Sequence, residues 1–187
     1  MTITPASDRR LQHATVDEVI TFIETAADTG GRRTLVEVDL GPGGGTPMHR
    51  HRRFQEVFEV LDGQLTVWLD GKPSHLAPGD VVTVPIGSPH RFQNLSDGPV
   101  RFRTAITPAE PGFERLQQVG FGLAQDRRIG RNAMPKDPRH VALMLAWSDT
   151  NLVGLVPRLL SPVLRLLVVL ARVSGEERRL IDRYVTF

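Results

Sequence analysis

The chain has 187 residues, 40% of them hydrophobic, and no cysteine. That length and apolar content suit one domain with an appendage, and the missing cysteine excludes disulfides, thiolate nucleophiles and cysteine-ligated zinc. The net charge of +2 is unevenly spread: residues 1–111 carry 11 Lys/Arg against 14 Asp/Glu, and residues 112–187 carry 12 against 7. In the basic tail arginines alternate with acids and apolar runs, which reads as a solvated helical surface, and no nucleic-acid partner is expected. The opening stretch, residues 1–18, has no apolar core of signal-peptide type, so the expected location is cytoplasmic.

From Val19 to Thr107 the pattern is short, β-branched and punctuated by turns. Segments 19–25, 33–40, 56–61, 64–70, 80–85, 90–94 and 100–106 read as strands, most with period-two alternation. Turn chemistry such as "DTGG", "DG", "DGKP", "APGD" and "SDGP" separates them. Thr15 and Glu18 offer a capping box, but the β-branched run after them favours a strand. Seven short strands at this spacing predict a sandwich or barrel.

After Pro111 the period lengthens. Helices are expected over 112–126, over 138–149, over 161–175 with Ser161 as N-cap and Pro162 at the first helical position, and in a last segment "EERRLIDRYV". The apolar stretch 152–173 invites a membrane reading. Pro157 and Pro162 are expected to break it, leaving about 12 helical residues against the ~20 needed to span. Arg158, Arg165 and Arg172 would each cost about 2.5–3.5 kcal/mol at a bilayer centre. No stable membrane insertion is expected. The segment reads as an amphipathic helix packed on the barrel or on a partner subunit.

The chemistry lies in the strand half. His49 and His51 converge only if the chain is extended, because side chains at i and i+2 share one face of a strand and diverge by about 200° on a helix. The preceding "GPGGGTP" cannot be helical. Arg50 then points to the other face. Glu56 is an odd number of residues from His51, so the chain must turn between them, and Arg52–Phe54 is the expected corner. Glu56, Phe58 and Val60 then share a face. His90 starts a strand after the turn "PIGSP", with Phe92 and Asn94 on its face. Three imidazoles and one carboxylate form a nitrogen/oxygen set suited to one divalent transition metal (Fe, Mn, Ni, Cu or Zn) and less to calcium or magnesium. Phe58, Trp68, Phe92 and Phe102 are candidates for the pocket wall. His13, His75 and His140 read as surface residues.

These residues fall in register with two motifs, and here the sequence resembles the cupins. Gly43, His49, His51, Glu56 and Gly63 match the first motif. Gly79, Pro85, Gly87, His90 and Asn94 match the second, after a 15-residue spacer. The resemblance is to small bacterial single-domain cupins of the type-2, quercetin-dioxygenase-like kind with a helical C-terminal extension. It implies a mainly β fold, a cupin-type antiparallel β-barrel or jelly roll over residues 15–110, followed by a helical extension over 111–187. It also implies that His49, His51, Glu56 and His90 ligate a metal, and that Glu56 acts as a base. The implied function is a metal-dependent oxygenase acting on a small organic molecule, with a homodimer as the expected assembly. A non-catalytic binding or sensing cupin, and a non-redox isomerase, cyclase or decarboxylase, are the alternatives.

Overall fold

A computed structural model of the chain describes residues 9–130 and 133–187. The first eight residues of the opening stretch read above for a signal core lie outside the described residues. Ten strands precede the helical half: β1 (Arg10–Gln12), β2 (Glu18–Glu24), β3 (Thr34–Leu40), β4 (His49–Arg50), β5 (Gln55–Asp62), β6 (Leu65–Leu69), β7 (Lys72–Leu76), β8 (Val81–Val84), β9 (His90–Gln93) and β10 (Val100–Thr107). A short helix, α1 (Ala26–Thr29), sits between β2 and β3. The tail contains α2 (Pro111–Gln125), α3 (Pro138–Trp147), β11 (Asn151–Leu152), α4 (Leu155–Val173) and α5 (Glu176–Tyr184).

The strands form two antiparallel sheets. One runs β1-β2-β3-β10-β5-β8, the other β11-β4-β9-β6-β7. The fold is mainly β, a jelly roll with its helices C-terminal, as expected. Alternation builds it. In β3 and β10 every second residue is buried, and Val100, Phe102, Val36 and Val38 meet Phe58, Val60 and Val67 in one core. Each such side chain contributes about 1.5–3 kcal/mol when fully buried. The residues between them face outward and pair across the strands. Arg101 lies opposite Asp39 and Arg103 opposite Glu37, with contacts of 2.7 and 3.3 Å. Exposed pairs of this kind add about 0.2–1 kcal/mol and pin the register.

Several local expectations are corrected. No strand is expected between the turns "DGKP" and "APGD", but Lys72–Leu76 is strand β7, at the sheet edge and antiparallel to β6. An edge strand tolerates Pro73, whose missing N–H costs no ladder bond when that side faces away from a neighbour. Helix α4 starts at Leu155, with Gly154 as its N-cap, and runs through both prolines. Pro157 stands in the first turn, where an N–H has no helical acceptor. Pro162 is carried inside the helix. The helix is therefore 19 residues long, and Arg158, Arg165 and Arg172 do share a stripe. Among the described residues no helix is long and apolar enough to cross a membrane.

The helices build a second core. Val119, Leu123, Leu143, Trp147, Ala171 and Leu180 cluster together, while Phe113 and Phe121 of α2 pack against the sheet core. Helix α2 thus serves both cores. His140, read as a surface residue, is 1% exposed. Its Nε2 lies 2.9 Å from Glu176 Oε1 and joins α3 to α5. Burying an imidazole requires such a partner. His75 is exposed and His13 half-buried, edge-on to Phe121 at 5.4 Å.

Candidate metal centre

The site begins with backbone conformation. Gly87, at φ 85°, turns the loop before β9 and donates its N–H to the His51 carbonyl at 2.6 Å. Only glycine adopts that left-handed geometry without strain. Asn94 closes the other end: its carbonyl accepts from Gly43 N at 2.9 Å and its amide donates to Leu40 O at 3.0 Å. The two motifs are thus bonded to each other through backbone. His49 of β4 is the direct cross-strand partner of His90 of β9, so both point to one face. The chain bends at Arg52 and Arg53, and Glu56 follows on β5 in the opposite sheet.

His49, His51, Glu56 and His90 are all buried, and one candidate ligand atom from each lies within 4.8 Å of the others. Imidazole centroids are 4.3 Å apart for His49–His90 and 4.8 Å for His49–His51. Each ring is oriented through Nδ1. That atom lies 2.8 Å from Pro47 O in His49, 3.0 Å from Ser88 O in His90 and 3.3 Å from Asp149 O in His51. A carbonyl only accepts, so this network assigns the proton to Nδ1 and leaves Nε2 with its lone pair when the ring is neutral. Anchoring of the far ring nitrogen is what metal-ligating histidines show.

The electrostatics agree with a cation-binding cluster. Burial, then the charge of His90, pushes His49 down to about 4, and burial also lowers His51. Both rings are neutral ligands at pH 7. Burial opposes ionisation of both His90 and Glu56 and is the largest single influence on each. The 2.7 Å bond between His90 Nε2 and Glu56 Oε2, together with the attraction between the carboxylate and the neighbouring imidazoles, outweighs it, raising His90 and lowering Glu56. Two lone pairs at that separation require a positive charge between them, either a proton or a metal ion. The donor set fits a metal. With bonds of ~2.1 Å, ligands on opposite sides of an ion stand ~4.2 Å apart, a few tenths of an ångström inside the observed spread. Three nitrogens and one oxygen match the borderline divalent transition metals.

The pocket candidates separate into two groups. Phe58, Phe92 and Phe102 pack on one another at ring distances of 5.3–6.2 Å, and Phe58 lies 6.5 Å from the His90 ring. Trp68 is not brought to them. It lies opposite Arg91, whose guanidinium sits 3.8 Å over its ring, on the face away from His90. Sequence reasoning missed two supports. Phe54 stacks on His51 at 4.2 Å, and Asp149 reaches it from the tail. The first was legible as a lone aromatic at the corner. The second has no local signal, because 98 residues separate the partners.

Comparison with known proteins adds family and fold. Residues 36–107 match the Cupin domain family. The quercetin 2,3-dioxygenase of Bacillus subtilis (strain 168) is 34% identical over 79 residues, 42% of this chain and 23% of that protein. A probable germin-like protein, subfamily 2 member 5, of Arabidopsis thaliana is 34% identical over 120 residues, 62% of this chain and 56% of that protein. The chain thus spans under two thirds of these curated relatives. The solved structure of KdgF from Halomonas sp. matches with a TM-score of 0.50 at 18% identity, over 59% of this chain and 97% of that one. An RmlC-like cupin from Shewanella frigidimarina NCIMB 400 matches with a TM-score of 0.50 at 18% identity, over 60% and 96%. At such identities the structures speak for the fold alone. With both motifs in register and the family match and the jelly roll in agreement, residues 36–107 are a cupin domain.

Proposed function

We propose that this cupin binds one divalent transition metal through His49, His51, Glu56 and His90 and oxygenates a small organic molecule. The observation that carries the proposal is the convergence of four buried ligand atoms, with all three imidazoles anchored at Nδ1. Oxygenation as the reaction class is supported by the 34% identity to quercetin 2,3-dioxygenase over 79 residues. A metal held there supplies Lewis acidity and, for iron or copper, electron transfer. The chain's own residues do the rest. Glu56 is the carboxylate of the cluster and takes the substrate's proton at Oε2. Without the metal, His90 Nε2 and that oxygen share a proton at 2.7 Å, and the metal would take that proton's place. Phe58, Phe92 and Phe102 form an apolar wall beside His90 on which a carbon skeleton packs and from which water is excluded.

Elemental analysis of the protein purified without a histidine tag, paired with oxygen uptake on flavonols and catechols, tests this reading. About one iron, copper, nickel or manganese per chain is expected, falling below a tenth in His49→Ala/His51→Ala. Unchanged metal in that variant removes the site. Zinc with turnover but no oxygen uptake selects a non-redox isomerase, cyclase or decarboxylase. Ligand capture without turnover selects a sensing module.

We also infer a homodimer through the outer face of α4. Val156, Leu159, Val163, Leu166, Leu170 and Val173 repeat at alternating spacings of three and four and are 48–83% exposed. This is the spacing of a coiled-coil seam. Together with Leu155, Leu160 and Val169, at roughly 100 Å² each, the face approaches the ~800 Å² per partner that a stable complex buries.

A further inference from the structure

The arginine between the two metal-site histidines faces a second feature. A cavity of about 690 Å³ lies outside the jelly roll, between β4–β11 and α3–α4, and none of the four metal-site residues lines it. Its volume falls in the range of small-molecule sites. Arg50 and Arg52 stand on one wall, two residues apart at the end of β4. Arg158 and Arg165 stand on the other, two helical turns apart and so ~10 Å along the axis. Among the described residues Arg50, Arg158 and Arg165 make no ion pair, while Arg52 donates to the Asn151 amide oxygen. Asp149 is the acid among the described lining residues, and its carboxylate is occupied by the N–H groups of Arg52 and Arg53 and by Asn151. The N-terminus of α4, with no side-chain cap, opens on the same cavity at Gly154 and adds its partial positive charge.

The rest of the lining is apolar. Leu145, Leu152, Leu164 and Val168 supply aliphatic surface between the two arginine walls. Four guanidinium groups facing one space repel one another, and an anion placed among them relieves that repulsion. Arginine forks suit a carboxylate, and the aliphatic floor suits an unbranched chain.

We propose that this groove is a second binding site, for an anionic amphiphile of the long-chain carboxylate class. It uses the back of β4, the strand that carries His49, and it stands whether or not the metal site performs oxygenation.

The test is displacement of a fluorescent fatty acid by oleate on the full-length protein. Oleate is expected to bind, and Arg158→Gln/Arg165→Gln to weaken it at least tenfold, with circular dichroism and metal content unchanged. Arg50→Gln, on the sheet wall, is expected to weaken it in the same direction and decides the matter if the helical variant loses its fold. Leu159→Ser/Leu166→Ser, on the opposite face of α4, is expected to bind oleate as the parent does. An oleate affinity unchanged by the arginine substitutions, or abolished by the outer-face serines, overturns the proposal. Inorganic phosphate binding as tightly as oleate reduces the groove to a simple anion site and overturns it too. Binding to anionic phospholipid vesicles without binding of monomeric oleate does the same in favour of a membrane-contact surface.

Discussion

The carbonyl of Asp149 lies 3.3 Å from Nδ1 of His51. The helical tail therefore orients a ring of the candidate metal centre, and the same residue's carboxylate accepts from Arg53 N at 3.0 Å and from Arg52 N. One residue of the tail thus fixes both the ring and the corner that brings Glu56 round. Asp149→Ala is expected to loosen that corner and lower metal affinity by about 10–100-fold, the usual effect of removing an outer support. A competition titration against a fluorescent chelator reads this out. An affinity equal to the parent's removes the Asp149 carboxylate from the support of the site.

Metal removal should be visible in stability. An ion that binds only the folded state stabilises it by about 2.7 kcal/mol at a free concentration of one hundred times its Kd. For a chain of this size that corresponds to a rise in Tm on the order of 5–10 °C. Dialysis against a chelator should lower Tm by that amount, and returning the metal should restore it. In Glu56→Gln the difference between metal-free and metal-supplemented protein should shrink to a degree or two.

Away from the metal centre, Glu114 gives a pH-dependent prediction. Its Oε1 accepts from Ala26 N at 2.6 Å and from Thr34 Oγ1 at 2.5 Å. Burial raises this carboxyl above the usual range, more than the two hydrogen bonds lower it, with Asp28 repelling its charge and Arg9 attracting it. A carboxyl with a raised native pKa holds its proton more tightly folded than unfolded. Its contribution is present in full below the unfolded pKa and is lost as pH rises through the native one. Glu114→Gln keeps an acceptor oxygen at both contacts and removes the ionisation. It is expected to raise Tm at pH 7 and to leave it unchanged at pH 4. A lower Tm at pH 7 would show that the ionised carboxylate is the stabilising form.

The α4 seam predicts a change of assembly. Leu159→Ser/Leu166→Ser should convert a dimer into a monomer in sedimentation experiments at micromolar concentration, with metal content retained. The parent chain sedimenting as a monomer at 100 times that concentration would disprove the dimer.

Much of the β half is legible in the sequence. Alternation in 33–40 and 100–106 named the inward residues, because a strand's side chains must alternate and one face must leave water. The convergence of the candidate ligands was legible for the same reason: His49 and His51 share a face only on extended chain, and the turn residues around Gly63 and Gly87 set where the strands begin. Local propensity misled at Pro162, which reads as a helix start. Pro157 falls in the first turn of the observed helix and Pro162 is tolerated inside it. Propensity also misled at His140, where packing between helices outweighs the preference of imidazole for water.

What the linear chain determined, then, was the periodicity: which residues face inward, where the chain turns, and which four side chains can share one metal. Only the tertiary structure decided what stands behind them. Asp149 beneath His51, the arginine-lined groove behind β4, and the exposure of α4 all join segments about 100 residues apart or leave a face without a neighbour. Such contacts are set by how whole elements pack, which no local pattern encodes.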